Sequence, residues 1–205
     1  MIFNFAGMAL EYLKHNYNDA DKNMRTVEVP IIIALMKRHK DVAHFLEIGN
    51  VLSHYIPVDH LVLDKYERIA QRSREIRIRQ DLMEFNSVNN FDLIVSISTI
   101  EHIGFGNYLE IGDRKWTPFE IVSKIRSLLT DVGVAYVTVP IGYNPRIDRW
   151  LLEGHIGANM TGCMHRISDD NQWESCRLSQ AFATDTLRPA GYPWSTGMVV
   201  LRINK

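Results

Sequence analysis

The run Phe91-Asp-Leu-Ile-Val-Ser-Ile97 constrains this chain more than any other feature. It is short, rich in branched apolar residues and barely interrupted by polar ones, the pattern of a strand covered on both faces. Weaker runs of the same kind occur at 43–48, 61–63, 76–79, 134–139 and 198–203. Segments with helical spacing fall between them at 66–73 and 118–129, the second placing Ile121, Val122, Ile125, Leu128 and Leu129 on one side. Strands alternating with helices predict a parallel sheet with helices on both faces. The expected class is α/β: a single Rossmann-like, doubly wound, mostly parallel sheet with an antiparallel C-terminal strand. Residues 8–17 are expected to form a short helix. Thr26 is expected to cap another, with Glu28 and a tolerated Pro30 in its first turn and its body over 31–40.

Composition removes several classes. Apolar residues are 46% and charged residues 23% of 205, with a net charge of −1, so no nucleic-acid partner is implied. The basic run Arg68, Arg72, Arg74, Arg77 and Arg79 is broken by Glu67, Glu75 and Asp81 and reads as a solvated helix face. Two cysteines, Cys163 and Cys176, fit a reducing compartment rather than a disulfide scaffold. No segment reaches the ~18 apolar residues of a membrane span, and no basic stretch precedes an apolar core at the N-terminus. The expectation is a cytoplasmic protein without membrane contact, and a homodimer is one assembly it could form.

In open α/β sheets, ligands bind outside the carboxyl ends of the strands, near the point where strand order reverses. The residues that fall there are Glu47 with Gly49, Asp64, Asp81, Ser98 to His102, and Pro140 to Asn144. Four of these five groups contain an acidic residue or a histidine.

Taken in order, Leu46-Glu-Ile-Gly49, Val62-Leu-Asp64, Asp81-Leu82, the strand ending in Ile100-Glu-His102, and Leu128-Leu129…Gly133…Val137-Thr-Val-Pro140 resemble a class I S-adenosylmethionine-dependent methyltransferase. The resemblance spans roughly residues 26–142 and the final strand. The segments Val139-Pro-Ile-Gly-Tyr-Asn-Pro145, Arg166-Ile-Ser and Trp173-Glu174 further resemble methyltransferases of bacterial glycan-modification clusters.

The resemblance assigns S-adenosyl-L-methionine to the strand ends, with S-adenosyl-L-homocysteine as product. It implies that Gly49 lets the backbone approach the cofactor and that Glu47 lies near the methionine moiety and holds the loop. Val51 and Ser53 stand where the family carries two more glycines. A valine resists positive φ, so a wider loop is expected, with Asn50 and Ser53 offering side-chain hydrogen bonds. Asp64, with Lys65 beside it, would take both ribose hydroxyls, because one carboxylate accepts two donors at once; a helix cap is the alternative. Asp81 would accept from the adenine amino group, with Leu82 against the ring, or would serve as a cap. Ser98 would face the adenosyl group. His102 falls near the acceptor and suits deprotonation, with Glu101 orienting it or touching substrate.

The implied organisation is one domain. Residues 1–42 form a helical cap in which the segment Asn23 to Glu28 folds over the cofactor. Residues 43–141 bind cofactor, 142–193 form an acceptor region and 194–205 a last strand. Within 142–193, Tyr143 is a candidate catalytic residue, and Arg146 and Arg166 are candidate substrate ligands, since arginine forks match phosphate or carboxylate. His155, Cys163, His165 and Cys176 match no compact zinc spacing, so no metal is expected. The expected function is methyl transfer to a small polar acceptor such as a sugar or glycan precursor. A catalytically inactive cofactor- or partner-binding relative, and a nicotinamide-dependent oxidoreductase, are the alternatives; the Gly-x-Gly-x-x-Gly fingerprint of the last is absent.

Overall fold

The structure is a computed structural model that describes residues 1–39, 42–66, 76–104, 116–187 and 193–205. The predicted helix at 66–73, and Arg68, Arg72 and Arg74 with it, lie outside the described residues apart from Tyr66.

Strands β1 (Ile2–Phe5) and β2 (Met8–Glu11) form a hairpin where a helix was expected over 8–17. The loop explains the difference: Ala6 and Gly7 both take positive φ, 46° and 77°, the conformation of a tight two-residue hairpin turn. Phe3 and Phe5 point inward, and Gly162 lies so close to the Phe5 ring that an added Cβ would come within 2.8 Å of it.

Helix α1 (Arg25–Met36) starts ahead of Thr26, which is therefore no cap. Asn23 Oδ1 accepts the Arg25 N–H instead, at 2.9 Å. Pro30 lies inside the helix and cannot donate to the Thr26 carbonyl. Leu13 N–H fills that place at 2.9 Å, and Thr26 Oγ1 donates to the Leu13 carbonyl at 2.9 Å. The proline thus frees an acceptor that pins the N-terminal segment to the helix.

Then come β3 (Phe45–Ile48), β4 (Leu61–Leu63), β5 (Ile76–Ile78), β6 (Phe91–Ile97), α2 (Pro118–Ser127), β7 (Leu129–Pro140), α3 (Pro145–Leu152), β8 (Asn159–Arg166), β9 (Trp173–Cys176), α4 (Leu178–Thr186) and β10 (Gly197–Asn204). Helix α2 opens with a capping box: Thr117 Oγ1 accepts Glu120 N–H at 3.2 Å and Glu120 Oε2 accepts Thr117 N–H at 2.7 Å. The eight-stranded sheet runs β5-β4-β3-β6-β7-β10-β8-β9. Pairing is parallel from β5 to β7; β10 lies antiparallel between β7 and β8, and β9 is an antiparallel edge. The expected mostly parallel α/β sheet with an antiparallel final strand is what forms.

Side chains alternate across the sheet. On β6, Leu93, Val95 and Ile97 join the core beneath α1 and the hairpin, whereas Ile94 joins the core beneath α2 and α3. Between β3 and β4 the chain makes only a 3-10 turn, Leu52–His54, with Leu52 buried against the α1 side. The segment 142–193 was expected to form an acceptor region. It supplies α3, β8, β9 and α4 and extends the sheet by two strands. Strand order reverses between β3 and β6, which leaves a crevice at their carboxyl ends.

Candidate active site

A cavity of about 420 Å³ fills that crevice. Its wall includes Gly49, Asn50, Val51, Asp64, Lys65, Asp81, Leu82, Ser98 and His102, so eight of the proposed site residues come together from four strand ends. Gly49 is the turning point. Its φ is +82°, and a Cβ there would lie 2.2 Å from Thr99 Oγ1; only glycine permits both the conformation and the approach.

The rest of the loop needs no further glycine. Val51 sits at φ −115°, in right-handed space. The loop closes on two carboxylates: Glu47 Oε1 accepts Val51 N–H at 2.8 Å and Leu52 N–H at 2.7 Å, and Asp64 Oδ2 accepts Asn50 N–H at 2.9 Å. These amides are turned onto the protein's own anions. Ser53 Oγ donates to Asn50 Oδ1 at 2.6 Å, so the side-chain hydrogen bonds expected of these two residues are made to each other. The expectation for Glu47 is corrected. It is fully buried beneath the loop, its Oε2 2.9 Å from His60 Nε2. It holds the loop but does not line the cavity.

Asp64 combines both roles considered for it. Its Oδ1 accepts the Tyr66 N–H at 2.8 Å, a capping contact, while it also forms part of the cavity wall. A carboxylate can accept several donors at once, so a capping contact and a place in the cavity wall are compatible. Asp81 accepts Met83 N–H at 2.9 Å and pairs with Lys65 Nζ at 3.0 Å. That pair holds Lys65 against the end of β5, and Leu82, 4% exposed, provides an apolar surface alongside.

The end of β6 combines a strained turn with a cluster of titratable groups. Ser98 adopts φ 41°, unusual for a residue with a side chain. It is held there by N–H donation to the Thr138 carbonyl at 3.2 Å and Oγ donation to Glu28 Oε1 at 2.5 Å. Glu28 is wholly buried, accepts Thr138 Oγ1 at 2.8 Å, and pairs with Arg25 at 3.0 Å. Arg25 also faces the cavity.

Beside it lies a smaller cavity of about 150 Å³, sharing Asn18, Arg25, Ser98 and His102 with the first. Glu101, His102 and Tyr143 meet in its wall. Tyr143 Oη lies 2.9 Å from His102 Nδ1, and His102 Nε2 lies 3.6 Å from Glu101 Oε1. Burial raises the Glu101 carboxyl to about 8, the Glu28 carboxylate adding to the effect. Burial, then Arg25, lowers the His102 imidazole to about 4. At neutral pH the pair therefore holds one proton, on Glu101, and is uncharged.

The two candidate substrate arginines are elsewhere and line neither cavity. Arg146 is in the first turn of α3, its guanidinium donating to the Trp116 carbonyl at 3.2 Å. Arg166, at the end of β8, donates to the Asp169 carbonyl at 2.8 Å. Both are tied to backbone carbonyls that order loops. Among the described residues no three His, Cys, Asp or Glu side chains gather as metal ligands. None of their helices is long and apolar enough to cross a membrane. Sequence reasoning missed Tyr17, Asn18, His54 and Tyr55, which complete the larger cavity. They come from the 3-10 turns Tyr17–Asp19 and Leu52–His54 and the residue after, which carry no periodic signal. Arg25 and Glu28 belong to the segment Asn23 to Glu28 expected over the cofactor; Arg25 lines the larger cavity and Glu28 the smaller one.

The fold matches that of solved methyltransferase structures. The N-methyltransferase NodS from Bradyrhizobium japonicum WM9, solved with S-adenosyl-L-homocysteine, aligns over 94% of this chain and 93% of its own, at 14% identity and a TM-score of 0.53. A possible histamine N-methyltransferase from Thermotoga maritima aligns over 88% and 91%, at 11% identity and a TM-score of 0.50. At such identities the shared property is the fold. No curated protein matches the chain. Residues 30–148, more than half of the chain and including every strand end that lines the larger cavity, match the family described as Caenorhabditis protein of unknown function, DUF268, and the chain belongs to that family.

Proposed function

We propose that this protein is an S-adenosylmethionine-dependent methyltransferase acting on a small polar acceptor. The observation that carries the reading is the pair of cavities meeting at Ser98 and His102. The larger has the volume of a small-molecule site and the smaller opens beside it. The residues present fit the cofactor. Gly49 permits close approach, Asp64 brings a carboxylate to the cavity wall where a ribose diol would lie, and Leu82 supplies an apolar face near Asp81 for a base. S-adenosylmethionine would supply an activated methyl on a sulfonium, the C–S bonding pair staying with sulfur as the methyl moves to the acceptor.

What remains for the protein is alignment and desolvation. The Arg25–Glu28 pair and the Ser98 turn fix the junction between the cavities. Tyr143 and Glu101 hold the His102 ring from both nitrogens, one hydrogen-bonded and the other at longer range. The Bradyrhizobium relative, solved with the demethylated product, supports the cofactor assignment by likeness of fold. The test is calorimetry. S-adenosylhomocysteine should bind near micromolar, roughly −8 kcal/mol, and Asp64→Ala should weaken it by about 2 kcal/mol, the scale of hydrogen bonds to a charged group. Absence of binding to the folded protein, or binding of NADH in its place, overturns the reading.

A further inference from the structure

The smaller cavity contains one polar group that the protein leaves unanswered. Its other charges are consumed: Arg25 pairs with Glu28, and Glu28 also accepts from Ser98 and Thr138. Glu101 is 1% exposed, and its Oε2 is buried with no hydrogen-bond partner. A buried carboxyl oxygen without a partner is destabilising, so a ligand that satisfies it gains on binding. The rings of Tyr143 and Trp194 line the same cavity, and aromatic faces attract cations.

Resting on the methyl-transfer reading, the geometry points to an amine as the acceptor, its nitrogen bound by Glu101 Oε2 within the aromatic wall. The aromatic wall favours an amine over a hydroxyl, because only the amine arrives as a cation. An alkylammonium gives up its proton at about 10.4, between two and three powers of ten above Glu101 at about 8. A hydroxyl is a far weaker acid than an ammonium, so its gap to the same carboxyl is much wider, and burial lowers His102 as an alternative acceptor of its proton. Around Glu101 the groups that set this balance are Glu28 and Arg25 from α1, His102 from the same turn, and Tyr143 from the loop before α3.

The proton count closes. An ammonium enters from solvent and Glu101 begins protonated. The bound state is either ammonium with carboxylate or amine with carboxylic acid, so one proton leaves to solvent on binding. The amine lone pair is then free to form the N–C bond, and the product departs as a cation while Glu101 keeps its proton.

The experiment is a pH titration of the full-length protein carrying ¹³C-labelled glutamate carboxyls, followed by NMR, with Glu101→Gln identifying the resonance. Methylammonium chloride should lower the Glu101 midpoint by about one pH unit or more, a tenfold change in proton affinity. Methanol and sodium chloride at equal concentration should leave it in place. A midpoint that methylammonium does not move, or that methanol moves equally, overturns the amine assignment. If Glu101→Gln does not fold, Glu101→Asp, which also removes the labelled glutamate carboxyl at that position, identifies the resonance. Calorimetry with S-adenosylhomocysteine separates the two claims. Cofactor binding without an amine response sinks this inference alone; an amine response without cofactor binding sinks the methyl-transfer reading.

Discussion

The ends of β3 and β6 lie side by side across the reversal of strand order, and they are built on opposite principles. At β3 nearly every polar group is answered by the protein. Three successive loop amides, at Asn50, Val51 and Leu52, go to Asp64 and Glu47, and Ser53 goes to Asn50. At β6 the chain adopts a strained φ at Ser98, keeps a buried carboxyl oxygen unpaired on Glu101, and displaces two proton affinities in opposite directions. The first end is a shape held by carboxylates; the second stores the chemistry. Strain and unmet hydrogen bonds persist only where the surrounding structure over-determines them, and here the closed loop at β3 and the Glu28 network provide that rigidity.

The largest effect should come from removing the carboxylate beneath the loop. Glu47→Ala strands two buried amides and the His60 partner, and unfolding in denaturant should show a loss of about 4 kcal/mol. If the loss is under about 1 kcal/mol, the β3 loop is not held as described. Gly49→Ala should cost about 3 kcal/mol from positive φ and the Thr99 clash together. Adding Thr99→Ala, which removes two of the three closest contacts, should recover part of that cost. Strictly additive losses would mean that the two ends do not touch energetically.

Glu101→Gln tests the β6 end with the opposite sign. A buried carboxyl raised from its ordinary 4.5 to about 8 stabilises the fold fully below 4.5, and that contribution is lost as pH rises through 8. Glutamine does not ionise. The variant should therefore gain on wild type between pH 5 and pH 8, by about 3 kcal/mol, read from denaturation midpoints at the two values. The lowered His102 acts the other way, losing stability as pH falls from 6.5 through 4, but it is present in both proteins and cancels. A pH-independent difference would mean that Glu101 titrates normally. The smallest expected effect is the loss of about 2 kcal/mol in cofactor affinity for Asp64→Ala, read by calorimetry on the folded variant.

The expectation of a wider loop at Val51 is answered at the level of backbone geometry. Residue 51 has no positive φ to adopt, because the 3-10 turn brings its amide onto Glu47. The mistaken helix at 8–17 has an equally local cause: a run of four inward- and outward-facing residues fits either period, and the Ala6-Gly7 turn decides for a hairpin. The segment 142–193 was legible only in part. Its strands β8 and β9 alternate poorly because β8 must place Gly162 beneath the Phe5 ring, a contact with a segment more than 150 residues away in sequence.

By itself the sequence determined the parallel core and the strand-end acids, since continuous apolar runs can be buried only in a covered sheet and polar residues must then fall at their ends. It also placed Glu101, His102 and Tyr143 among the candidates. Only the tertiary structure decided which of these residues meet. Arg25 and Glu28 arrive from a helix seventy residues upstream, and their buried pairing, with the exclusion of water, moves Glu101 and His102 away from their ordinary proton affinities. Burial and charge proximity are properties of three-dimensional neighbourhood, and no spacing along a chain contains them.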